Sequence, residues 1–135
     1  MPDLLPDDYG TATLQPPVAL LREQAGLFAA KTNGLVLARV NTAKFKDDQL
    51  IQQFVLEVPA LEGYTYHLFS TIHSFDFYPI YLDCPIVHDG VVTRIGSQEQ
   101  FEDELRQLFA HRAVRNIVTA LIAQAKVPGG AEEEA

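Results

Sequence analysis

The sequence predicts an α+β fold, in which a mainly antiparallel sheet of four or five strands is packed by an N-terminal helix and a broken C-terminal helix. Residues 50–82 hold eight of the chain's tyrosine and phenylalanine residues, of which there are five Tyr and eight Phe in all. Aromatic side chains favour the half-buried surface of a sheet. The flanking segments carry apolar residues at helical spacing. Strands gathered between helices indicate an antiparallel sheet with helices on one face.

The first helix is predicted over residues 17–32. Pro17 suits its first turn, where the missing N–H costs no hydrogen bond. Asn33 and Gly34 end it, because both tolerate the left-handed conformation. The spacing of five residues predicts one stripe on one face of this helix: Leu20, Leu21, Gln24, Leu27 and Phe28.

Strands follow over residues 35–43, 54–58, 64–72, 77–82 and 91–95, and turns are expected at 45–49, 59–63 and 89–90. Strict alternation along the third strand places His67 and His73 on one face. Pro79 cannot donate to a ladder, so the fourth strand is expected at a sheet edge or with a bulge. The sequence predicts no helix within this strand region, which argues against a secretion chaperone.

The C-terminal helix is predicted to begin at Ser97, whose partner Gln100 completes a capping box. Its apolar residues fall into two stripes that lie roughly half a turn apart in phase. Since one straight helix cannot turn both stripes to the same core, we expect a break at 110–113. The stripes are Phe101, Leu105, Leu108 and Phe109, then Ile117, Val118, Leu121 and Ile122.

A chain of 135 residues fits one core, predicted over residues 16–126. Residues 1–15 are expected to form a flexible arm, and residues 127–135 a disordered acidic tail. Cys84 is the single cysteine, so an intrachain disulfide is excluded. The start of the chain lacks the basic and apolar regions of a signal peptide. With no apolar run near ~18 residues, the expected location is the cytoplasm and not a membrane.

The net charge of −8 argues against nucleic-acid binding, because phosphate contacts require clustered Lys and Arg, and the ten basic residues are scattered. An acidic surface is explained by solubility alone, or by docking of a basic protein partner.

One candidate chemical site surrounds the segment DCPIVHD, where Cys84 and His88 would act with His73 and Asp83. A cysteine beside a histidine suits a nucleophile pair or half of a metal site. The motif is short and lacks further cysteine ligands, so a structural role is the competing interpretation and no metal or cofactor is expected. His67 and His73 would lie about 20 Å apart, too far to share one ion.

Charged residues near the last helix have two interpretations. His111, Arg112 and Arg115 at the predicted break suit an anion site, or ordinary partners of a helix C-terminus. Glu99 and Glu102 suit the first turns of a helix without any catalytic role. No phosphate loop, nucleophile elbow or metal-binding helix motif occurs, which argues against an enzyme.

The tyrosines of the aromatic segment are candidates for a docking surface: Tyr64, Tyr66, Tyr78 and Tyr81. Tyrosine combines apolar area with a polar tip and is enriched at interfaces. Core packing is the competing interpretation, because sheet faces need aromatic residues. We therefore expect a non-catalytic, acidic protein-binding module, such as an inhibitor, an immunity-type protein or a secretion chaperone. The alternatives are a small enzyme or ligand-binding domain using the Cys84/His88 region, and a homo-oligomeric subunit that pairs through an open sheet edge.

Overall fold

The computed structural model describes residues 2–8, 15–44 and 48–127. Parts of the predicted arm, the 45–49 turn and the acidic tail lie outside these ranges. The helices and strands, in chain order, are α1 (Pro17–Lys31), β1 (Leu37–Lys44), β2 (Leu50–Val58), β3 (Tyr64–His73), β4 (Ile80–Asp83), α2 (Pro85–His88), β5 (Thr93–Ile95), α3 (Gln98–Ala110) and α4 (Arg112–Ala125).

The strands form one antiparallel sheet in the order β1-β2-β3-β4-β5, so every strand pairs with its neighbour in the chain. Short connections between consecutive strands allow this meander. Helices α1 and α3 pack on one face of the sheet, as the contacts of Phe28 and Phe109 with Phe54 show. The predicted α+β architecture is confirmed.

A bulge interrupts β3 at Leu68. Phe54 pairs with Phe69 and the next residue, Val55, pairs with His67, so Leu68 has no partner of its own on β2. The extra residue reverses the alternation of side chains from that point onward. His67 therefore points to the face opposite the helices and His73 to the helix-covered face, and the prediction that they share a face was wrong.

The short strand β4 differs from the sequence prediction. It begins at Ile80, just after Pro79, and lies between β3 and β5. The prediction of an edge or bulged strand was wrong because Pro79 stands outside the ladder, where its missing N–H removes no strand pairing. A single helical turn, α2, follows with Pro85 at its first position. The strand region thus contains a helix that the sequence did not predict.

The core lies between the sheet and the helices and centres on a group of rings. Phe54 and Phe69 stack across β2 and β3 with their centroids 4.9 Å apart. Phe28 from α1 and Phe109 from α3 close on Phe54 at 6.5 and 5.5 Å. Burying such rings is a large part of what holds the helices to the sheet.

The ends of α3 and α4 follow the predicted signals. The Ser97 hydroxyl accepts from the Gln100 N–H at 3.2 Å, while the Gln100 side chain accepts from the Gly96 N–H at 2.9 Å. The predicted break is confirmed at His111, which separates the two helices. Its Nδ1 accepts from the Ala113 N–H at 3.0 Å and so caps α4.

The opposite face of the sheet carries a mixture of polar and apolar side chains. Arg39 pairs with Glu57 at 3.3 Å, and His67 Nε2 lies 2.6 Å from Ser70 Oγ. Val55 lies between these two pairs in the strand register. The exposed pairs contribute little to stability.

Candidate functional site

A groove with a volume of about 790 Å³ lies between α1, α3 and α4. The residues that line it belong to these helices and to the segments flanking α1, and none of them lies on a strand. Half of the lining side chains are apolar, and six of them are here called the apolar floor: Leu27, Phe28, Leu105, Phe109, Val118 and Ile122. Apolar concave surfaces with polar margins are the usual form of binding sites.

The break at His111 creates this groove. It lets α4 turn away from the line of α3, so that Phe109 and Val118 line the same depression. Val118 and Ile122 stay half-buried, whereas Leu121 of the same helix is buried. Both stripes therefore contribute to the core, and residues of each also line the groove.

Helix α1 supplies the remaining wall. The residues of α1 that are buried are Pro17, Leu20, Leu21 and Ala25. Four residues of its predicted stripe line the groove: Leu20, Gln24, Leu27 and Phe28. Leu27 is 51% exposed there, whereas Phe28 also contacts Phe54 of the sheet. A helix with apolar residues on several sides packs against more than one surface.

Hydrogen-bonded polar residues form one end of the groove. The Gln15 amide donates to Glu23 at 2.8 Å, and the Gln98 amide donates to Glu102 at 3.0 Å. The Gln98 amide also reaches the Gln15 carbonyl oxygen at 3.4 Å. Two carboxylates from two helices are thus held at this end.

Basic side chains occupy other parts of the rim. Lys31 is the last residue of α1, and Arg115 lies in the first turn of α4. Arg106 also lines the groove but pairs with Asp103 at 2.7 Å. The rim therefore carries both signs of charge, with Glu23 and Lys31 two turns apart on α1.

The four candidate tyrosines do not share a surface. Tyr64 and Tyr66 pair with Val58 and Leu56 on the helix-covered side of β3, and Tyr64 is 48% exposed at its end. Tyr81 pairs with Ile72 on the opposite face and is 38% exposed. Tyr78 lies in the loop before β4, against Phe101 at 6.4 Å.

Two of these tyrosines are held in partly buried positions. Burial raises the pKa of Tyr78, and the nearby Glu102 carboxylate raises it further. Burial also raises the pKa of Tyr66, with smaller contributions from Cys84 and Tyr64. Both rings pack against the core.

Cys84, the centre of the alternative site, belongs to the core. Its side chain is fully buried and its Sγ donates to the Leu68 carbonyl oxygen at 3.4 Å. Burial raises the pKa of the thiol, although the backbone N–H groups of Val87 and Ile86 lower it in part. Since the thiolate is the nucleophile, this environment does not favour covalent chemistry.

The other members of that site face different surroundings. His73 is buried on the helix-covered face, with Nδ1 2.7 Å from the Ser74 carbonyl oxygen. Asp83 pairs with Ser70 on the opposite face. His88 ends α2, and its Nδ1 is buried without a hydrogen-bond partner among the described residues. Within those residues, no group of three or more His, Cys, Asp or Glu side chains is placed to hold a metal ion.

His111 and Glu99 have structural roles at the ends of α4 and α3. His111 caps α4 through its own ring, and Glu99 lies in the first turn of α3, where the helix dipole favours a carboxylate. Arg112, the first residue of α4, is exposed. Only Arg115 of the predicted basic group lines the groove.

The groove was not predicted from the sequence, although one signal for it is present. The apolar residues of α1 and α4 cover more of each helix than contact with a single sheet face requires. Locating the groove also requires the angle between α3 and α4, which depends on tertiary packing.

No helix in the described part of the chain has the length and apolar character needed to cross a membrane. Comparison of the chain with protein-family models, with curated proteins and with solved structures finds no match.

Proposed function

We propose that the chain is a non-catalytic protein-binding module whose partner occupies the groove between α1, α3 and α4. The observation that carries this proposal is the apolar floor of the groove, built by three helices and open to solvent at Leu27. Apolar residues gathered in a concave surface with a charged margin are typical of partner-binding sites.

A protein segment fits this groove better than a reacting substrate does. Half of its lining side chains are apolar, and its two carboxylates accept hydrogen bonds from glutamine amides. Cys84, the one thiol, lies in the core and not in the groove. An inhibitor, an immunity-type protein or a secretion chaperone would each use such a surface, and the net charge of −8 suits a basic partner.

A matched pair of substitutions tests the proposal. Leu27 and Val92 are 51% and 50% exposed, but only Leu27 lines the groove. We expect wild type and Val92→Asp to enrich the same proteins from a lysate of the source cells, and Leu27→Asp to lose them, because a buried carboxylate opposes docking. Thermal melts verify that both variants remain folded.

Two outcomes would contradict the proposal. Identical enrichment by Leu27→Asp and wild type would remove the groove from the binding surface. Native mass spectrometry that finds a small molecule bound to wild type but not to Leu27→Asp would support the ligand-binding alternative instead.

A further inference from the structure

We infer that the groove binds an amphipathic helix that runs antiparallel to α1 and α3, with acidic residues in its first turn and basic residues in its last. This inference rests on the proposed function and adds the chemistry and direction of the bound segment. It is carried by the direction of the two wall helices and by the charges at the ends of the groove.

Side-chain contacts show that α1 and α3 run in the same direction. Near their beginnings, the Gln98 amide of α3 donates to Gln15, which precedes α1. Near their ends, Phe28 and Phe109 both contact Phe54. The two helices therefore begin at one end of the groove and finish at the other.

The charges on the rim follow this direction. Glu23 and Glu102 lie toward the beginnings of the two helices and are linked through Gln15 and Gln98. Lys31 lies at the end of α1, roughly 12 Å from Glu23 along the helix axis. Arg115 follows the end of α3, in the first turn of α4. The groove is thus negative at one end and positive at the other.

A helix of natural polarity matches this arrangement in only one direction. Helices favour acidic residues in the first turn and basic residues in the last, because of their macrodipole. Placed antiparallel to α1 and α3, such a helix sets its acidic turn beside Lys31 and Arg115 and its basic turn beside Glu23 and Glu102. Its dipole then also opposes the dipoles of both wall helices.

The apolar floor sets the contacts of the bound helix. The lining of the groove extends over about two to three helical turns, from Leu20 to Lys31 on α1 and from Glu102 to Ala110 on α3. A helix bound in a groove presents anchors at i, i+3 or i+4, and i+7. Three or four such anchors would rest on Phe28, Phe109 and Val118.

Two synthetic peptides of about 14 residues test the inference. They share the same apolar positions and composition; one has Glu in its first turn and Lys in its last, and the other has the reverse. Affinities are measured by fluorescence anisotropy for wild type and for Glu23→Lys/Lys31→Glu. Both substituted residues are exposed on α1, and the net charge is unchanged. The control, Arg39→Glu/Glu57→Arg, reverses the ion pair on the opposite face of the sheet.

We expect wild type and the control to bind the first peptide about three- to tenfold more tightly than the second, and the α1 variant to lose or invert this preference. Added salt should reduce the preference, because both charges are exposed. The same preference in all three proteins would overturn the inference, since it would then reflect the helicity of the peptides.

Other outcomes separate this inference from the proposed function. Equal binding of both peptides to wild type, abolished by Leu27→Asp, would contradict the direction and leave the groove as the binding site. If neither peptide binds to wild type, the inference that a helix occupies the groove is wrong. Sedimentation that shows a dimer of wild type and a monomer of Leu27→Asp would assign the groove to a second copy of the chain.

Discussion

Phe54 and Phe69 stack face to face across β2 and β3, with centroids 4.9 Å apart and ring planes inclined by 9°. The pair lies immediately beside the bulge at Leu68, which places both Leu68 and Phe69 in the core. The bulge therefore lets two consecutive apolar residues of one strand contribute to the same core, a result that strict alternation forbids.

Truncating this pair should destabilise the domain strongly. We expect Phe69→Ala to lower the free energy of unfolding by about 3–5 kcal/mol, because it removes a fully buried ring that also contacts Phe109. Urea unfolding followed by circular dichroism measures the loss. Tyr64→Ala, at the half-exposed end of the same strand, should cost less than about 1.5 kcal/mol, and equal losses for the two variants would contradict this account of the core.

The hydroxyl of Thr32 should stabilise the connection from α1 to β1. Its Oγ1 donates to the Val36 carbonyl oxygen at 2.8 Å and accepts from the Val36 N–H at 3.1 Å. We expect Thr32→Val to cost about 1–3 kcal/mol, because the shape is kept while two buried backbone groups lose their partner. Thr32→Ser keeps the hydroxyl and should retain most of the stability in the same urea titration. A larger loss for Ser than for Val would show that packing of the methyl group matters more than these bonds.

His111 should act as a helix cap. Its Nδ1 accepts a hydrogen bond from the N–H of Ala113, which lies in the first turn of α4. We expect His111→Ala to lower the free energy of unfolding by about 1 kcal/mol and His111→Asn to restore most of it, since asparagine is a good N-cap. Thermal melting of the three proteins makes the comparison. An Asn variant no more stable than the Ala variant would mean that the ring contributes by some means other than capping.

Stability should fall at alkaline pH, in part because of Cys84. Burial raises the pKa of its thiol above the ordinary value of 9.0, so the folded chain holds the proton to higher pH than the unfolded chain. The contribution is fully present below pH 9.0 and is lost as the pH rises through the raised value. We expect the urea concentration at the unfolding midpoint to decline above pH 9.0 in wild type, and to decline less steeply in Cys84→Ala. Tyr66 and Tyr78, whose pKa values are raised from 10.0 by burial, should sustain part of the decline in the variant.

A labelling experiment checks the burial of Cys84 independently. Its thiol should react with a disulfide reagent far more slowly in the folded protein than in urea. In the folded protein the side chain is inaccessible, and its buried surroundings disfavour the thiolate form. Equally fast labelling in both conditions would show that the segment around Cys84 opens readily, and would revive the site built on Cys84 and His88.

Local signals in the sequence predicted the three long helices, α1, α3 and α4. Pro17 and Asn33-Gly34 delimited α1, Ser97 and Gln100 marked the start of α3, and the phase difference between two stripes predicted the break at His111. These features depend on a few neighbouring residues, because capping and helical phase act over one or two turns.

Features that depend on distant residues were missed or misplaced. Alternation along β3 failed at Leu68 because a bulge depends on pairing with β2. Pro79 was placed within an edge or bulged strand, but β4 begins after it and lies between β3 and β5. Where β4 begins depends on its pairing with these two strands. The groove was not predicted, because it depends on how α1, α3 and α4 pack against one another.

The sequence by itself determined the α+β architecture, the helix ends and the helix break, because periodicity and capping are local properties. The tertiary structure alone decided which face of α1 meets the sheet, which side chains of β3 enter the core, and how α3 and α4 diverge to leave a groove. These outcomes depend on the packing of helices against a twisted sheet, which decides whether an apolar stripe is covered or remains exposed.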